Sequence, residues 1–310
     1  MNGIIPESLR YTLIMKKPWT ALFAVLMAAC CASAQNEKTE LRHGTILLYE
    51  EDLDQVVVVA ESKYLVPNNK SGIPSKTDCK IDQLSADTIF FYTGNLTENI
   101  SLRTKKSLWS QKMFAEEAYR QHKDELRSDE RLIALATKYE QIAHPKVDSL
   151  IRAMSNSEAK AALGLGGFAS LDSLDHPKIA LANFTVDVPN DGKSPARLIN
   201  PKIGEWELYK IGMGAYPPYK FVAEFLGGNT PRAEKARKKF VNEEAKYPEK
   251  DKEARFLIAA VNFALDWDKD DPGIGPPVDA VVIEPKTGIR WIEGMKRCRG
   301  FNTVAQTPTH

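Results

Sequence analysis

Strand-like and helix-like stretches come in groups along this chain, and that order constrains the fold more than any other feature. Ile46 to Tyr49 and Val56 to Ala60 read as strands joined by an acidic turn, and "CKIDQL" and "TIFFYTG" add two more. The centre turns helical: "SLWSQKMFAEEAYRQHKDEL" and "DERLIALATKYEQIAHPKVDSLIRAM" place Trp109, Met113, Leu132, Leu135, Tyr139 and Ile142 near helical spacing. "IALANFTVDV", "EWELYKIGM" and "YKFVAEFLGG" read as strands again. A helix is then expected from Thr230-Pro231, an N-cap followed by a first-position proline, and a second over "KEARFLIAAVNFALDW". "PVDAVVIEPKTGIRWIEGM" closes the pattern as a hairpin turning at Thr287-Gly288. Strands that group rather than alternate singly with helices argue for a layered α+β fold with antiparallel sheets. No linker divides the chain, so a single domain from about residue 45 to 300 is expected, with a polar tail over 301–310.

Composition adds bounds. Apolar residues make up 43% and charged residues 27% of the 310, enough for a full core. A formal net charge of +1 gives no nucleic-acid footprint. The N-terminus carries an export pattern from Met15, the expected start. Lys16 and Lys17 form a positive region, Ala21 to Ala29 an apolar one, and Ala32-Ser33-Ala34 a cleavage site before Gln35. The apolar stretch from Trp19 to Ala34 is 16 residues, short of the roughly 20 needed to span a bilayer. A cleaved signal is therefore expected rather than a stable membrane anchor, with a periplasmic or secreted product. Cleavage after Ala34 removes Cys30 and Cys31 and leaves Cys79 and Cys298, which suit either a disulfide or two separate buried thiols.

Most catalytic motifs are missing. The five histidines show no metal-ligand spacing, no G-x-S-x-G elbow occurs, and "GLGG" at 164–167 follows a helical stretch, so neither a metal nor a cofactor is expected. Thr45 is the remaining nucleophile candidate. A threonine hydroxyl needs an adjacent base, and as the first residue of a cleaved chain it would supply its own α-amine. That amine titrates at about 7.7–8.0, close to working pH. A nearby lysine would tune it, an acid would hold the lysine, and a glycine N–H would face the oxyanion.

The stretch "GTILLYEEDLDQVVVVAESKYL … DCKIDQLSADTIFFYTGN" supplies all four, and it resembles the opening of a proteasome β-subunit of the N-terminal-nucleophile hydrolase superfamily. Gly44-Thr45 matches the pair cleaved autocatalytically in that family, and Glu61 matches the acid, 16 residues on. Lys80 matches the lysine, and Gly94, 14 residues further, the oxyanion glycine. Near the C-terminus, Asp271 falls at the family's supporting acid. The resemblance implies a four-layer αββα sandwich of two antiparallel sheets, with residues 35–44 as a propeptide-like lead-in. It also implies an exported threonine-type hydrolase acting on a peptide or small amide, and leaves open whether copies assemble. Three departures stand out. Glu61 replaces the usual aspartate, Ile274 stands where the family carries a supporting serine, and Gly227-Gly228-Asn229 is the nearest match to its Gly-Ser-Gly turn. These favour the alternative, a catalytically inactive exported binding or structural protein on the same scaffold.

Overall fold

In the computed structural model, the residues that can be described are 46–64, 76–77, 79–94, 98–100, 107–122, 131–160, 162, 164–172, 174–191, 193–205, 211–213, 219–267, 275–294 and 298. They lie in one unit that runs from Arg42 to His310. The strands, in chain order, begin with β1 (Leu47–Glu51), β2 (Val56–Glu61), β3 (Lys63–Tyr64), β4 (Lys76–Thr77), β5 (Ile81–Gln83), β6 (Thr88–Gly94), β7 (Glu98–Ile100) and β8 (Ser107–Ser110). Helices α1 (Gln111–His122), α2 (Arg131–Ala153) and α3 (Asn156–Lys160) follow. Then come β9 (Gly164–Leu171), β10 (Pro177–Asp187), β11 (Arg197–Glu205) and β12 (Gly212–Met213). Helices α4 (Tyr219–Gly227), α5 (Pro231–Glu244) and α6 (Lys252–Trp267) lead to the closing hairpin, β13 (Val278–Glu284) and β14 (Gly288–Glu293).

Two five-stranded antiparallel sheets organise these elements. The first has the order β12-β1-β2-β13-β14 and the second β11-β10-β9-β6-β5, with β3-β4 and β7-β8 as separate two-stranded ribbons. Strand alternation sorts the side chains of β2. Val56, Val58 and Ala60 pack with Ile81, Ile89, Phe91 and Ile179 of the second sheet. Val57 and Val59 face the other way, against Val222, Phe225, Leu257 and Val261 of α4 and α6. The second sheet likewise turns Phe90, Tyr92, Phe168 and Phe184 toward Phe114, Leu135 and Tyr139 of α1 and α2. The sheets therefore share one apolar interior, and each carries helices on its other face. This is an α+β architecture compatible with a sandwich.

Local chemistry explains the helix starts. Thr230 caps α5, its hydroxyl accepting from the Ala233 N–H, with Pro231 in the first turn. The residues 219–227, expected as a strand, form α4 instead. Its tyrosine, phenylalanines and valine suit strands by composition, but their three- and four-residue spacing suits a helix face. Val222 and Phe225 are buried, and Phe225 packs 5.5 Å from Phe263 and 5.4 Å from Phe256 of α6, centroid to centroid. Trp109, expected on a helix, lies on β8, one residue before Ser110 ends that strand and α1 begins. The glycine-rich 164–171 segment is a central strand of the second sheet, paired with both β6 and β10.

The glycines of β9 are there for space. A Cβ at Gly166 would stand 2.5 Å from the Tyr139 hydroxyl. Tyr139 is fully buried and donates to the Gln111 side chain, so it has little room to yield. Gly166→Ala is expected to destabilise the protein by roughly 1–3 kcal/mol, the usual range for overpacking, read as a lower urea midpoint with an unchanged slope.

Candidate active site

Two of the side chains proposed from the sequence, Glu61 and Lys80, lie within electrostatic reach of each other where β2 of the first sheet ends and β5 of the second begins. Glu61 closes β2, opposite Val278 of β13, and its N–H donates to the Ile46 carbonyl at 3.0 Å. It is fully buried, with its carboxyl at the end of a run whose other members are all apolar. Lys80 stands one residue before β5 and is 2% exposed, with its ammonium 5.5 Å from the centre of the Tyr92 ring. The Tyr92 N–H donates to the Lys80 carbonyl at 3.0 Å, which fixes the lysine against β6. Two residues past Tyr92, Gly94 ends the same strand opposite Gly164, with φ of 108°, a conformation open chiefly to glycine.

Electrostatics tie Glu61 to Lys80 across the two sheets. Burial pushes the Glu61 carboxyl up to about 8, against the positive charge of Lys80 and the main-chain amides of Lys63, Gly275 and Ile46, which pull it down. The Lys63 N–H donates to Oε2 at 2.8 Å, whereas among the described residues Oε1 has no hydrogen-bond partner of ordinary geometry. A carboxyl held this way binds its proton more tightly than an ordinary glutamate does.

Two residues that the sequence reading did not single out complete the arrangement. Ser62 donates from Oγ to Oδ2 of Asp279, which is fully buried on β13, and the Ser62 N–H donates to the Pro277 carbonyl at 2.9 Å. The signal was present: Asp279 interrupts the apolar "VDAVVI" just as Glu61 interrupts "VVVVAE". Cys298 lies against the same carboxyl, its Sγ 3.9 Å from Asp279 Oδ2, and its sulfur stands at bonding distance from that of Cys79, the residue before Lys80. Beside this group a shallow cavity of 390 Å³ is lined by Asn262, Pro276, Pro277, Val278, Glu293 and Gly294. Glu61 and Lys80 do not line it.

The remaining proposed residues, Ala34, Gly44, Thr45 and Asp271, and with them Ile274, lie outside the described residues. Among the described residues, no cluster of His, Cys, Asp and Glu side chains is placed to hold a metal ion, and no helix is long and apolar enough to cross a membrane. Comparison with known proteins finds neither a family model nor a curated protein that matches this chain.

The titration of Glu61 is directly testable. Its folded value lies above the ordinary 4.5, so the stability it contributes is complete below about pH 4.5 and is lost as pH rises toward 8. Because Lys80 pulls the value down, Lys80→Met should raise it further. Carboxyl carbon NMR of the folded protein, with Glu61→Gln to assign the signal, reads both effects. A Glu61 midpoint near 4.5, or one that Lys80→Met leaves in place, would contradict this account.

Proposed function

We propose that this chain is an exported N-terminal-threonine amide hydrolase of the proteasome-like class, self-processed at the Gly44-Thr45 bond. The single observation that supports it is the meeting of Glu61 and Lys80. They stand on different sheets, both buried, within electrostatic reach of each other, at the end of the structure where Gly94 closes β6. The αββα identity of the fold, the export route through cleavage after Ala34, and a peptide or small amide as substrate all belong to this same proposal.

The chemistry divides as follows. Thr45 Oγ attacks the Gly44 carbonyl carbon, and its proton passes to the departing amide nitrogen. The C–N bond breaks to leave an ester on Oγ and a free Thr45 α-amine, and water hydrolyses that ester to release the segment ending at Gly44 and restore the Thr45 hydroxyl. In each later turnover Thr45 Oγ attacks the substrate carbonyl and its proton goes to the α-amine. The oxyanion is held by the Gly94 N–H. Collapse breaks the substrate C–N bond, the leaving amine takes the proton, and water releases the acyl group. Lys80 keeps the α-amine in its neutral, proton-accepting form by its positive charge, and Glu61 sets the field around Lys80. Asp271 would support the amine. Neither Lys80 nor Glu61 needs to touch substrate for this, in keeping with their burial.

One observation favours a second reading, an inactive binding or structural protein on the same scaffold. The raised Glu61 carboxyl weakens its hold on Lys80 as an ion pair, and Ile274 offers the nucleophile no hydroxyl.

The Thr45→Ala variant separates the two. On the hydrolase reading it keeps residues 35–44 and loses hydrolysis of peptide amides by on the order of 10³-fold or more, as removal of a nucleophile does. Equal rates in the variant and the wild type, or no hydrolysis in either, would contradict it.

A further inference from the structure

Glu61 ends a strand of the first sheet and Lys80 leads into β5 of the second. What lies between the sheets is mostly apolar packing, which is non-directional and sets no register by itself. It is crossed at the β5–β14 edge by the Trp291 indole N–H donating to Gln83 Oε1 at 3.2 Å. At the far end of the sheets that register is set by polar contacts. Glu51 of β1 accepts from the Ile179 N–H of β10 at 2.7 Å and from Lys178 at 3.4 Å. At the site end the directional link is covalent. Cys79 is the residue before Lys80 and leads into the second sheet, while Cys298 lies against Asp279 of the first. Asp279 in turn accepts from Ser62, the residue after Glu61. The chain of contacts thus runs from one site residue's neighbour to the other's, across a sequence separation of 219 residues.

We propose that the Cys79–Cys298 disulfide, backed by the Asp279–Ser62 contact, is a positioning bond of the site that fixes Lys80 relative to Glu61, so that its reduction uncouples the two. Cys79, Cys298, Ser62 and Asp279 are positioning residues here. A dithiol supplies the two electrons and two protons that convert the bond to two thiols, and is itself oxidised to a disulfide. Cys79 is 7% and Cys298 2% exposed, so reduction requires a local opening at this end of the sheets. The consequence for catalysis rests on the hydrolase reading, but the positioning does not. It makes the site sensitive to the redox state of its surroundings through a bond that touches neither the nucleophile nor the substrate.

The test uses the full chain and reads the Glu61 carboxyl titration by carbon NMR in the oxidised protein, in protein treated with dithiothreitol, and in Cys79→Ala/Cys298→Ala. The double variant removes the question of whether the reductant reaches the bond. With the bond open, the Glu61 midpoint should move up by on the order of 1 pH unit, the low end of what an opposite charge at close range holds down. Adding Lys80→Met to the double variant should then move it no further. A midpoint equal to that of the oxidised protein overturns the proposal, as does a further full shift on adding Lys80→Met. Loss of fold in both the reduced protein and the double variant overturns it as well, because the bond would then hold the whole structure rather than this pair. None of these readings depends on Thr45. A chain never cleaved at Gly44-Thr45 would sink the hydrolase reading and leave this result standing.

Discussion

Val56 to Glu61 form a strand buried on both faces, pressed between the second sheet and the helices that cover the first. The rest of the structure depends on that double burial. A strand so placed must find all of its main-chain partners within its own sheet, and β2 does so between β1 and β13. Its neighbours are therefore fixed in register, and through them so are the layers on either side. The same burial gives the acid at its end its unusual character. A carboxyl removed from water keeps its proton unless charge or hydrogen bonds compensate, and at Glu61 the compensation is partial.

The two ends of the sheets resolve the cost of a buried acid differently. Glu51 is also buried, yet both its oxygens have partners, Lys178 and the Ile179 N–H, and the contact locks the sheets together. Glu61 has one oxygen accepting from the Lys63 N–H and, among the described residues, no partner of ordinary geometry for the other, with a lysine acting on it through its field. A buried polar atom left without a partner costs free energy of about 1–3 kcal/mol. Local rules broken in this way are more common at working sites than in scaffolding. That difference is why the Glu61 end, and not the Glu51 end, is read as the place of chemistry.

Much of the fold was legible because the periodicities were clean. "TIFFYTG" and "KEARFLIAAVNFALDW" match β6 and α6 to the residue, and Thr230-Pro231 opens α5 as its capping chemistry requires. The misreadings have physical causes. In 219–227 the residue types favour a strand while the spacing favours a helix, and packing against the aromatic face of α6 decides for the spacing. "GLGGFASL" carries no strand signature because its glycines make room for Tyr139 and Phe91, side chains far away in sequence. At the site, Glu61 and Lys80 could be paired only through a family resemblance, since they are 19 positions apart and belong to segments of different sheets. Ser62 and Asp279 were missed because their contact spans 217 positions and leaves no local pattern beyond one acid in an apolar strand.

The central claim is that Thr45 becomes the first residue of the working protein, and the most direct measurement is the N-terminal sequence and intact mass of the chain expressed with residues 1–44 in place. The account predicts a chain that begins at Thr45. A chain that begins at Gln35 and stays so over days would contradict it, since a threonine inside the polypeptide has no α-amine to serve as its base.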